Sequence, residues 1–167
     1  SLRPENTLNL VLLFSMGYFF ETGTITTSYV SFDYYLGILI LICAYSYSVL
    51  DNNIRDVDID KVNNMNNRIP VDAKSVAGST YKLTPKMFAL ASLCLSLLAF
   101  GRHFAFALLL VILSYIYNAH LCKRPILSVL SLSFTYSLPL VYGYYLTHGL
   151  TYNFYLIMVL VLFFLLK

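Results

Sequence analysis

Asp51, Asp56, Asp58 and Asp60 are four of the eight acidic residues in the chain, and all four fall within ten positions. Residues four apart on a helix stand one above the other. Asn52, Asp56 and Asp60 therefore form one polar stripe, with Asn53 beside it and Asp58 pointing elsewhere. Like charges at this spacing repel unless a cation sits between them. A hard divalent ion such as Mg2+ takes oxygen ligands, commonly one or two carboxylates plus substrate phosphates. The stripe thus suits a magnesium-bound diphosphate. An EF-hand is excluded, because Lys61 and Asn67 stand where that motif needs Gly and Glu.

The elements around the stripe are apolar. Of 167 residues, 59% are hydrophobic and 11% charged, against about 25% charged in a soluble domain; the mean hydropathy is +0.71. One polytopic transmembrane helical domain over residues 1–167 is expected, with no nucleic-acid partner. The spans are placed at about 8–20, 34–50, 87–100, 104–118, 126–146 and 154–166. The first run is short for a bilayer and is expected to continue through Glu21 to about Tyr29, Glu21 then facing a cavity. Residues 51–86 are the polar motif loop, and the last turns of the second helix are expected to carry on into the Asp-rich stripe at its start, delivering the carboxylates at the membrane surface. Thr84 and Pro85 read as N-cap and first position of the third helix. Gly101, Arg102 and His103 turn the third span into the fourth. Pro139 is expected to kink the fifth. Cys43, Cys94 and Cys122 have no metal or redox spacing and read as small buried hydrophobes. No secretory signal peptide is visible.

Lys and Arg set the orientation. Arg3, Arg55, Lys61, Arg68, Lys74, Lys82, Lys86, Lys123 and Arg124 gather on one side of a six-span arrangement, and Arg102 stands alone in a loop on the other. By the positive-inside rule residues 51–86 and the Lys123-Arg124 loop are cytoplasmic, in what is expected to be the cell membrane, and share one site. Fifteen tyrosines and no tryptophan suit an interfacial belt.

Asn52-Asn53-x-x-Asp56-x-x-x-Asp60 followed by Asn67-Arg68-x-Pro70 resembles the first aspartate-rich motif of the UbiA intramembrane prenyltransferases. Arg3-Pro4, Leu83-Thr84-Pro85, Tyr117-Asn118 with Lys123-Arg124, and Tyr136-x-Leu138-Pro139 with Gly143 resemble the family in order along the chain. Asn53 stands where the family commonly has Asp, and Pro70 falls one residue late.

The resemblance implies a helical bundle around a central cavity. It also implies Mg2+-dependent transfer of an isoprenyl group from a prenyl diphosphate to a small aromatic or glycerol-phosphate acceptor. Asp56 and Asp60 would be catalytic, holding the metal with Asn52. Asn52, Arg68, Lys123 and Arg124 would bind the diphosphate. The family's second motif, Asp-x-x-x-Asp, follows its sixth helix, so the chain is expected to represent the first six of nine helices. Two other readings are a transporter or channel subunit with a cytoplasmic acidic metal site, and a non-catalytic remnant or scaffold. Few ionisable residues within the spans disfavour the transporter.

Overall fold

The computed structural model describes residues 4–20, 31–56, 78–98 and 101–149. They form five α-helices and, among the described residues, no strand: α1 Pro4–Tyr18, α2 Phe32–Arg55, α3 Gly78–Leu98, α4 Phe104–Ile116 and α5 Pro125–His148. A π-helical turn, Tyr117–Leu121, continues α4. The first of these packs chiefly along α5, and α2 along α3, with α4 between them.

Three stretches are long and apolar enough to cross a membrane: Phe32–Arg55, Phe104–Leu121 and Ile126–His148. Their outward faces keep Phe32, Tyr35, Leu39, Ile112, Ile126 and Val129 exposed, a surface for lipid rather than water. Inside, Phe14 is wholly buried and its ring centroid lies 5.2 Å from that of Tyr142 and 5.7 Å from that of Tyr34. Hydroxyls on the helices are satisfied locally: Ser15 donates to the Val11 carbonyl at 2.7 Å and Thr135 to that of Ser131 at 2.8 Å. Such back-bonding removes the cost of an unpaired hydroxyl in an apolar surrounding.

Helix ends follow local chemistry at α5, where Pro125 takes the first turn and Gly149 caps with φ 65°. Elsewhere the expectations need correction. The first helix does not run on through Glu21. It stops at Tyr18, and the chain tightens from Phe19 N–H on the Ser15 carbonyl to Phe20 N–H on that of Gly17 at 3.4 Å. The Tyr18 hydroxyl then meets Ser31 Oγ at 2.7 Å, tying this end to the start of α2. Glu21 itself lies outside the described residues.

Thr84 and Pro85 do not start the third helix. It begins at Gly78, and Pro85 is buried inside it. Packing against α2 offsets the missing N–H, as neighbouring helices do in membranes. The second helix carries on into the start of the Asp-rich stretch as expected, to Arg55, while the last residues of 51–86 belong to α3, so the polar loop is shorter than that range. The fourth α-helix ends at Ile116, not Asn118, because the backbone widens into the π turn. Cys94 is exposed, against the expectation of a buried thiol, while Cys43 is buried. Pro139 lies within α5. The sixth span falls outside the described residues.

Candidate functional site

The second helix runs as one element from its apolar core into its polar end, so the side chains of residues 51–56 are carried on its last turn. Asn52 Nδ2 donates to Asp56 Oδ2 at 2.7 Å, the i,i+4 contact that the stripe requires. Asp56 is the C-cap rather than an interior residue, with φ −87° and ψ −1° and its N–H on the Asn52 carbonyl. Asp58, Asp60 and Arg68 lie outside the described residues.

Asp51 holds a place that the stripe did not assign to it. Its Oδ2 accepts from Arg55 Nε at 2.8 Å and from Asn118 Nδ2 at 3.1 Å. The same Asn118 amide donates to the Ser48 carbonyl at 3.0 Å. Arg55 also lies over the Tyr115 ring, 5.6 Å from its centroid. The π turn and the end of α2 are therefore at one end of the bundle. Lys123 and Arg124 follow that turn and are exposed, without an ion pair to any described residue. Structure thus brings Asn52 and Asp56 into contact and sets Lys123 and Arg124 at the same end, without joining them.

A cavity of about 210 Å3 opens beside this end. Asn6, Ser48, Asn52, Asn53 and Asn118 are among its polar lining residues, and Leu10, Leu41, Ala44, Leu110 and Pro139 among its apolar ones, with Ser114, Thr135 and three tyrosines also in the wall. From Asn52 back to Leu41 the helix rises about 16 Å, so the lining passes from amides to hydrocarbon along one helix face. Such a site takes a ligand with a polar head and an apolar tail. Its polar end is lined by amides, and the Asp56 carboxylate is hydrogen-bonded to one of them, Asn52; amide and carboxylate oxygens are the hard ligands that suit Mg2+. With Asn52 Nδ2 spent on Asp56, Asn52 Oδ1 and the second Asp56 oxygen have no partner among the described residues, and this pair fits a divalent cation.

The opposite end holds a second polar cluster that the spacing of residues did not reveal. His103 is wholly buried, its Nδ1 hydrogen-bonded to the Tyr142 hydroxyl and its Nε2 3.6 Å from Asp33 Oδ1. Burial pushes the His103 imidazole below its usual range, against the opposing pull of Asp33. A His in a short Gly-Arg-His turn reads as exposed from sequence, and only the buried Tyr142 across from it could have hinted otherwise.

A model of the UbiA prenyltransferase family matches residues 10–166. No curated protein and no solved structure matches the chain.

Proposed function

Because the chain belongs to the UbiA prenyltransferase family, we propose that its cavity binds a prenyl diphosphate and delivers the prenyl group to a small aromatic or glycerol-phosphate acceptor. The carrying observation is the cavity itself: its polar part lies at Asn52, Asn53 and Asn118, and its apolar part runs between the helices. The diphosphate would sit at the first and the hydrocarbon chain in the second. Mg2+, when bound, neutralises charge that develops on the departing diphosphate. Asn52 and Asp56 hold it, joined by Asp60. Arg68, Lys123 and Arg124 bind diphosphate oxygens through charge-assisted N–H contacts. Apolar walls keep water from the allylic carbon once its bond to oxygen breaks. Placing these groups before the reaction is what lowers the barrier, since they need no reorganisation when charge appears. The basic end faces the cytoplasm.

Asp56→Ala tests the reading in protein reconstituted in lipid. Transfer falls on the order of 100-fold or more, the cost of losing one preorganised contact to developing charge, while the protein still inserts and folds. Asp58→Ala, off the stripe, retains most activity, and chelation of Mg2+ abolishes transfer. Transfer that survives complete chelation would sink the metal reading.

A further inference from the structure

Asn118 is 4% exposed and sits on the π turn, a wider turn than an α-helix allows. Its position has a cost, since π turns are rare and concentrate at functional sites. What it gains is reach. The Asn118 amide spends both N–H groups on α2, one on the Ser48 carbonyl at 3.0 Å and one on Asp51 Oδ2 at 3.1 Å. Both partners are acceptors, so the amide orientation is settled: a flipped oxygen would face two oxygens. The same Asp51 oxygen also accepts from Arg55 Nε at 2.8 Å.

These contacts grip α2 at Ser48, one turn before Asn52, and at Asp51, the residue next to it. Helix ends fray because their last carbonyls have no intrahelical partner, and the last turn of α2 is where Asn52 and Asp56 are carried. A clamp that reaches across 67 residues of sequence fixes the rotation and height of that turn. Hydrogen bonds to a charged carboxylate are stronger than neutral ones, and a 1 Å displacement of a binding group can cost about 100-fold in rate.

We propose that Asn118 and Asp51 form a positioning pair: the π turn presents Asn118 to α2, and the pair sets the last turn of α2 so that Asn52 and Asp56 converge on the diphosphate and its cation. This rests on the proposed prenyl-diphosphate reading. Neither residue is part of the aspartate-rich stripe; Asp51 does not line the cavity, and Asn118, which does, spends its N–H groups on α2.

The test uses the whole chain in lipid nanodiscs, with Mn2+ and inorganic diphosphate as the probe, bound Mn2+ being read by electron paramagnetic resonance. Asn118→Ala and Asp51→Ala each weaken probe binding about 10-fold, the equivalent of one lost hydrogen bond, with the unfolding temperature little changed. Asp51→Asn keeps an acceptor oxygen for Asn118 and retains most of the affinity. In transfer assays Asn118→Ala raises the KM for prenyl diphosphate and the Mg2+ requirement together, leaving the acceptor KM in place. Parent-like binding by both alanine variants overturns the proposal. So does an equal loss in Asp51→Asn and Asp51→Ala, which would make Asp51 a direct charged ligand. Loss of binding only in step with loss of fold would reduce the pair to packing and also overturn it. If the parent binds the probe and the variants behave as stated, but the parent transfers no prenyl group, the pair stands and the transferase reading fails. A parent that binds no probe overturns both.

Discussion

His103 is wholly buried, with Tyr142 on one nitrogen and Asp33 approaching the other at 3.6 Å. Its folded pKa is lowered, chiefly by burial. The unfolded chain then binds a proton that the folded chain refuses, so the His103 contribution to stability is present above the unfolded pKa of about 6.5 and is lost as pH falls below it. Thermal unfolding in detergent should show a midpoint that declines on acidification through that window, by up to about 1.4 kcal/mol per pH unit. His103→Asn should flatten that decline; an unchanged slope would remove His103 as its cause. At the other end, the Asn52–Asp56 contact at 2.7 Å follows from helical spacing. The Asp51–Asn118 contact does not, because nothing local to either residue names the other.

Among elements, the α1–α5 crossing is set by two glycines. A Cβ on Gly17 would lie 2.0 Å from the Leu140 carbonyl oxygen, and one on Gly143 would lie 2.1 Å from that of Phe14. Backbone meets backbone there, the small-residue packing on which membrane helices rely. Gly17→Ala or Gly143→Ala must push the helices apart and should destabilise by more than the roughly 1–3 kcal/mol of ordinary overpacking. Gly101 gives the contrast: it has φ +83° but nothing within 4 Å of a built Cβ. Gly101→Ala should cost only about 1–2 kcal/mol of backbone strain. Comparing unfolding midpoints of the three variants in one detergent checks the order, and a Gly101→Ala loss equal to the other two would contradict it.

At the scale of the molecule, α4 separates Arg102 from Lys123, both exposed, so the two mark opposite ends of the bundle. The positive-inside expectation puts Lys123 in the cytoplasm. In a cysteine-free background, Arg102→Cys should react with a membrane-impermeant maleimide in intact cells, and Lys123→Cys only after permeabilisation. The reverse pattern would turn the molecule over and place the polar end of the cavity outside. The family match over residues 10–166 and the three membrane-crossing stretches make this an integral membrane protein.

Composition and helical period by themselves determined the helical membrane class, the polar end of α2, and the pairing of Asn52 with Asp56. Each depends on hydrocarbon running lengths or on contacts within one turn, which the backbone repeat imposes. Tertiary structure alone decided where helices stop and what meets across them. Tyr18 ends α1 beside Ser31, Pro85 is absorbed into α3, His103 is buried under Tyr142, and Asn118 reaches Asp51. In each case the deciding partner is distant in sequence, and packing or an otherwise unpaired polar group outweighs the local preference.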